Sequence, residues 1–203
     1  MASSFFYSIP AILALFTKCS ILYFSRTAKV QNTQTRLFLA SLFFSTILSL
    51  AEVSLLNRLF TDPPWAEIIT YFAASIPTLA VLLHLSISVS FDDWNTPRFY
   101  PLYFVLYTYA AVLEILLLFT PWLVAGLEPF NNYSFTRIPG PVYWLYETFL
   151  LLGFLGIIVF PLFGLRRGRS CFVRNKCKLW ILALSPMALL VITVVILLRL
   201  KIQ

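Results

Sequence analysis

The chain contains six apolar stretches that are each long enough to cross a lipid bilayer. A bilayer core about 30 Å thick is spanned by a helix of about 20 apolar residues. Hydrophobic residues make up 60% of the chain and charged residues only 11%, which excludes a water-soluble globular domain. Because backbone groups in lipid must be hydrogen-bonded internally, runs of this length are helical. We predict an all-α fold, a polytopic integral membrane bundle of six transmembrane helices.

The six spans are predicted at residues 5–24, 37–60, 67–91, 101–119, 142–165 and 179–199, within one transmembrane domain covering residues 1–203. A transmembrane β-barrel is disfavoured, because barrel strands are about 10 residues long and alternate apolar with polar residues. Tryptophan prefers the headgroup level on both sides of a membrane. All five tryptophans fall at or near predicted span ends: Trp65, Trp94, Trp122, Trp144 and Trp180.

Orientation follows from the lysines and arginines, which are enriched in cytoplasmic loops. Ten of the fifteen cations lie in the loops after the first, third and fifth spans. This arrangement predicts that those loops are cytoplasmic and that both termini are outside. The densest group is a cytoplasmic basic loop, which we interpret as a topology determinant that touches anionic lipid rather than nucleic acid. Its cations are Arg166, Arg167, Arg169, Arg174, Lys176 and Lys178.

The sequence carries no recognisable catalytic motif, so we predict a protein that is not an enzyme and has no catalytic residues. It has none of the usual nucleophile, phosphate-binding or zinc-protease signatures. The three cysteines lack the spacing of a metal or redox pair, so we expect free thiols and no metal site; the sequence identifies no cofactor. The first span lacks the basic start of a signal peptide, and we expect it to be retained. Residues 120–141 are expected to form an ordered but irregular outer cap, with a glycosylation sequon at Asn132.

Five ionisable residues fall inside the predicted spans, where charge is expensive and usually faces the bundle interior. The candidate ligand-binding residues among them are Glu52, Glu114, Glu147 and His84. In the predicted topology the three glutamates lie in the outer half, while His84 and Lys18 lie in the inner half.

Two interpretations of the glutamates remain open. They either surround an outward-facing pocket for a cation, an amine or protons, or they are three separate residues that bond to neighbouring helices or reach water. Glu52 is the deepest acid and therefore the strongest candidate. We expect Lys18 to extend to the cytoplasmic surface and cross-pairing between the two layers to be difficult. We expect a neutral His84 imidazole to bond to a serine or a carbonyl.

The second and third spans resemble the N-terminal seven-helix membrane region of bacterial sensor histidine kinases. Residues 32–36 lead into a helix with an acid near its outer end, Glu52, and the next helix has Trp65, Pro77 and His84 in matching places. The run RRGRSCFVRNKCK is similar to that family's loop between its fifth and sixth helices. The resemblance covers residues 5–200, but this chain shows six spans, no phosphorylated-histidine motif and no ATP-binding region.

The resemblance implies a sensor-like membrane module that binds a ligand, a lipid or a partner protein within the membrane. An accessory subunit of a larger membrane complex is the alternative. A small transporter is a further alternative, although the chain lacks the internal repeat that many transporters show. The expected partners are the lipid bilayer and other membrane protein subunits.

Overall fold

The chain folds into six α-helices and one β-hairpin in the computed structural model, which describes residues 2–27, 32–57, 65–91, 96–131, 134–167 and 170–199. This confirms the predicted all-α fold with six helices. A short 3-10 turn, Pro97–Phe99, leads into the fourth helix. The elements are α1 (Ala2–Thr27), α2 (Thr33–Asn57), α3 (Trp65–Ser90), α4 (Tyr100–Phe119), β1 (Val124–Asn131), β2 (Ser134–Pro139), α5 (Tyr143–Arg167) and α6 (Cys171–Arg199).

Five of these helices, α2 to α6, are long and apolar enough to cross a membrane. In α1, the segment Ile9–Ser25 forms a shorter apolar helix. The protein is therefore a multi-pass membrane protein. The helix bounds agree with the predicted spans within a few residues except at the start of α6.

The basic segment before the last span is mostly helical, so the prediction of a continuous basic loop is wrong. The sixth helix begins at Cys171, eight residues before the predicted start at 179. Ser170 caps it, since its hydroxyl oxygen accepts a hydrogen bond from the backbone N–H of Val173 at 3.2 Å. Long cationic side chains can extend from such a helix to the headgroups, which lets the helix continue through a polar stretch.

The predicted irregular cap is also wrong, because Val124–Asn131 and Ser134–Pro139 pair as two antiparallel strands. Two backbone hydrogen bonds close the base of this hairpin, from Gly140 to Leu123 and from Val142 to Trp122. Gly140 is required there because a Cβ atom would overlap the carbonyl oxygen of Trp122. The Asn132 sequon lies outside the described residues.

The chain divides into two compact units. The first comprises Met1–Thr78 and Ala110–Tyr143, and the second comprises Leu79–Tyr109 and Trp144–Gln203. In the first unit α1 packs against α2. Apolar side chains that are almost fully buried there include Phe72, Ile76, Leu113 and Leu123.

In the second unit, small residues bring α3, α5 and α6 close together. A Cβ atom at Gly153 would lie 2.6 Å from Leu79, and one at Gly164 would lie 2.7 Å from the Cys177 Sγ atom. Small residues allow helices in a membrane to approach closely, which strengthens van der Waals packing. Ser86 and Ser90 lie on the side of α3 that faces α5: the Ser86 hydroxyl is 3.4 Å from the Ile157 carbonyl oxygen, and a Cβ atom at Gly164 would lie 2.8 Å from the Ser90 carbonyl oxygen.

Candidate functional site

The three predicted glutamates occupy different environments. Glu52 on α2 is exposed and Glu114 on α4 is half-buried, and both belong to the first unit. Glu147 on α5 belongs to the second unit and is half-buried. Whether these three residues bind a ligand stays a prediction.

Lys18 lies against α2 instead of extending to the membrane surface, so that prediction is wrong. Its Nζ donates hydrogen bonds to the Ser45 carbonyl oxygen at 2.9 Å and to the Ser49 Oγ at 2.7 Å. Glu52, three residues after Ser49, interacts electrostatically with the same ammonium group. A lysine within lipid is favoured by such oxygen partners on a neighbouring helix. Whether the acids and bases of the two predicted layers pair stays a prediction.

A cavity of about 150 Å³, open to the surroundings of the protein, lies between α2 and α3 in the first unit. Its only charged lining residue among those described is Glu67, whose side chain is 4% exposed. Glu67 is in the first turn of α3, where the positive end of the helix dipole favours a carboxylate. Thr70 donates its hydroxyl to the Ala66 carbonyl oxygen at 2.7 Å. The lining residues are Leu50, Ala51, Ser54, Ala66, Glu67 and Thr70.

Glu67 was not predicted as a site residue because it is the first residue of the predicted third span and was therefore expected at the membrane boundary. The signal that indicates its burial is spacing: Glu67, Ala74 and Thr78 recur at helical intervals along α3, and all three are buried. The predicted residue Glu52 does not line this cavity. Its neighbour Ala51 does, so the second helix reaches the cavity close to the predicted position.

Arg137 on the hairpin contacts two aromatic residues of the first unit, Phe72 and Tyr143. Its Nε donates a hydrogen bond to the Tyr143 hydroxyl at 2.7 Å. The guanidinium carbon lies 5.0 Å from the Tyr143 ring centre and 5.8 Å from that of Phe72, both within cation–π range. Tyr71, next to Phe72, interacts electrostatically with both Arg137 and Glu52. The hairpin and α3 are therefore linked by the contact of Arg137 with Phe72.

His84 lies in an aromatic cluster of the second unit. Its Nδ1 is 2.8 Å from the Tyr107 hydroxyl, and its ring stacks on Tyr103 with centres 4.0 Å apart. The partner is thus a tyrosine hydroxyl on α4 rather than the expected serine or carbonyl. The stack continues from Tyr103 to Phe99 and on to Phe91. These contacts hold α3 and α4 together, and the chemistry of His84 as a ligand stays a prediction.

The predicted basic residues lie at the facing ends of two helices. Arg166 and Arg167 form the last turn of α5, while Arg174, Lys176 and Lys178 lie in the first turns of α6. Arg169 is outside the described residues. All the described members are exposed except Lys176, which is half-buried and has its Nζ 4.3 Å from the Phe172 ring centre. The exposure of Arg166, Arg167 and Lys178 leaves these side chains accessible to headgroups or to a partner protein.

Cys19, Cys171 and Cys177 form no disulfide bond with one another. Among the described residues, no group of three or more histidine, cysteine, aspartate or glutamate side chains could hold a metal ion. Comparison with known proteins gives no match to a protein-family model, a curated protein or a solved structure.

Proposed function

We propose that this protein is a non-enzymatic, sensor-like membrane module that binds a small ligand in the cavity between α2 and α3. The observation that carries the proposal is the buried Glu67 carboxyl group at the wall of that cavity. Polar groups placed in a mostly apolar cavity are typical of ligand sites. A buried ionisable group within a membrane helix also points to function by default.

The cavity favours a small ligand that carries a positive charge or several hydrogen-bond donors. Glu67 supplies a carboxylate, and Ser54, which is 3% exposed, supplies a hydroxyl. The remaining lining of Leu50, Ala51 and Ala66 suits an apolar portion. A primary amine with a short apolar chain has this combination of properties, and it matches the cation or amine expected for the outer half of the bundle.

Helix α3 is the element through which ligand binding would act. It is continuous from Trp65 to Ser90, with Glu67 in its first turn and Pro77 near its middle. A proline removes one helix hydrogen bond and favours a bend at that point. A ligand that moves Glu67 toward α2 shifts the equilibrium between more bent and straighter conformations of α3. A partner membrane protein that contacts α3 responds to this conformational change. The resemblance to the membrane region of sensor histidine kinases supports this role.

We also propose that the protein resides in a bacterial inner membrane with its basic helix ends in the cytoplasm. The exposed cations at the ends of α5 and α6 support this orientation. The same ends then offer a contact surface for the partner that receives the signal.

The ligand proposal is tested by the thermal unfolding of the purified protein with ethylamine, ethanolamine or putrescine. At least one amine is expected to raise the Tm, because ligands that bind only the folded state stabilise it. The Glu67→Gln variant is expected to lose this shift. The matched control is Glu128→Gln, which removes an exposed carboxylate from β1 and is expected to keep the shift. An equal shift in both variants, or no shift with any amine, would contradict the proposal.

The alternative role as an accessory subunit is favoured by one observation, the exposure of α6. Only 11% of its apolar window is buried within the chain. In an accessory subunit, the exposed face of α6 would contact another protein. In the sensor module, the same face would contact lipid. Photo-crosslinking from a diazirine-bearing leucine analogue placed at Leu182 or Leu190, both exposed, distinguishes the roles: crosslinks to lipid alone support the sensor module. A reproducible crosslink to one other membrane protein supports the subunit.

A further inference from the structure

A second concave surface of the protein, on α5 in the second unit, joins an apolar groove to an arginine. The groove has a volume of about 170 Å³ and is lined by Val159, Leu162, Phe163 and Arg166. These positions are three or four residues apart, so they share one face of the helix. The groove is independent of the cavity around Glu67, which belongs to the first unit.

The charged end of the groove is strongly cationic. Arg166 is exposed and lines the groove, while the Arg167 guanidinium lies 6.0 Å from the ring centre of Phe163, another lining residue. Residues 166–178 contain six lysines and arginines and no acid. An anion that reaches Arg166 therefore meets no repulsive carboxylate from this segment.

The groove also lies at the depth where a lipid changes from acyl chain to headgroup. Arg166 is in the last turn of the spanning segment Tyr143–Arg167. Val159 is two turns earlier, which places it about 10 Å farther into the membrane at 1.5 Å per residue. A basic pocket at the end of a membrane helix suits a phospholipid headgroup.

We propose that this groove binds one anionic glycerophospholipid, with its phosphate on Arg166 and part of an acyl chain along Val159, Leu162 and Phe163. Charge complementarity selects an anionic lipid over a zwitterionic one. The apolar wall selects a lipid over a free phosphate, which offers nothing to Leu162. A guanidinium is suited to the phosphate because it can donate two parallel hydrogen bonds to its oxygens.

Native mass spectrometry of the detergent-solubilised protein tests the charged end of this site. The probes are phosphatidylglycerol and phosphatidylcholine with identical acyl chains, and the measured quantity is the Kd of the first bound lipid. Arg166→Gln is expected to weaken phosphatidylglycerol binding about 50-fold, through a lost surface charge and a lost charge-assisted hydrogen bond. The matched control Lys178→Gln removes one exposed cation outside the groove, and about a fivefold loss is expected.

A second pair of variants tests the apolar wall without a change in charge. Leu162→Trp fills the groove, whereas Leu190→Trp places the same side chain on α6, outside the groove; these leucines are 45% and 67% exposed. Only the first is expected to weaken phosphatidylglycerol binding, by about tenfold. Circular dichroism and gel filtration confirm that each variant is folded.

The proposal is overturned if Arg166→Gln and Lys178→Gln weaken binding equally, since diffuse attraction then explains the lipid preference. Equal binding by the two tryptophan variants also overturns it, because the groove is then not occupied. Equal affinity of the unaltered protein for phosphatidylglycerol and phosphatidylcholine has the same consequence.

Discussion

Helices α3 and α6 are both apolar enough to span a membrane, yet they have opposite surroundings. In α3, 61% of the most apolar window is buried within the chain, whereas in α6 the share is 11%. Alanine, serine and threonine recur along α3, and Ser86, Ser88 and Ser90 are among its most buried residues. The membrane part of α6 is built mainly from large aliphatic residues, and Leu182 and Leu190 are 75% and 67% exposed.

The difference shows that hydropathy predicts whether a helix spans the membrane, but it does not predict whether that helix is buried by other helices or exposed to lipid. Lipid tails are as apolar as leucine, so exposure of Leu182 has little cost. The interior position of α3 comes instead from small residues that allow close contact and from polar groups that find partners. The following predictions test that division between an interior helix and a lipid-facing helix.

The largest effect is expected for Gly164→Leu in the second unit. A Cβ atom there would lie 2.7 Å from the Cys177 Sγ and 2.8 Å from the Ser90 carbonyl oxygen. Because one of these contacts is with the backbone, we expect a loss of more than about 4 kcal/mol or failure to fold. The measurement is the free energy of unfolding in mixed micelles. The control Ala183→Leu makes the same kind of change on an exposed position of α6 and is expected to be within about 0.5 kcal/mol of the unaltered protein.

A smaller loss is expected for Ile87→Ala on α3, where the side chain is fully buried at 0% exposure. Removing it leaves a cavity and deletes packing contacts, which destabilises the protein by about 2 kcal/mol. In Leu190→Ala on α6, lipid fills the space left by the shortened side chain, so the free energy of unfolding is expected to change by less than about 0.5 kcal/mol. Similar losses in the two variants would show that α6 packs against protein as extensively as α3 does.

Lys18→Met sharpens the comparison at α1, which combines exposed apolar residues with one anchored cation. The substitution removes the bonds to Ser45 and Ser49, and we expect a loss of about 1.5 kcal/mol. Ser20→Ala on the same helix removes only a bond to Phe16 within α1 and is expected to be nearly neutral. Chemical unfolding of both variants is the test. A neutral Lys18→Met would mean that water, rather than α2, satisfies the ammonium.

The smallest effect is expected for Tyr107→Phe, which removes the hydroxyl that contacts the His84 Nδ1. Hydrogen bonds between membrane helices average about 0.6 kcal/mol, and we expect a loss of that size. The two-dimensional NMR signal of the single histidine should also shift, since its Nδ1 environment changes. Tyr100→Phe, at a tyrosine that is 53% exposed, should leave that signal in place. An unshifted signal in Tyr107→Phe would contradict the contact.

The existence and approximate bounds of the helices were predictable because a spanning helix needs a long apolar run. The start of α6 was not, because a helix that emerges from lipid loses the apolar signal and continues with Arg174 and Lys176. The hairpin was missed because Gly126, Pro129 and Gly140 favour irregular loops, while its strands depend on pairing with one another. Local sequence does not encode that pairing.

The candidate site was only partly predictable. A pocket for a cation, an amine or protons was predicted with Glu52 of the second helix as its strongest candidate. The acid that lines the cavity is instead Glu67 on α3. Likewise, the partner of Lys18 depends on how α1 packs against α2, since Ser45 and Ser49 are 27 and 31 residues away in sequence. Depth along a single helix cannot identify such neighbours, because it does not specify which helix faces which.

The most direct test of the interior and lipid-facing helices is carbene footprinting in lipid nanodiscs with a membrane-soluble diazirine. Mass spectrometry then compares labelling of residues 179–196 on α6 with that of residues 72–90 on α3. We expect α6 to be labelled several-fold more heavily than α3, because its leucines are open to lipid. Equal labelling of the two segments, or heavier labelling of α3, would contradict this architecture.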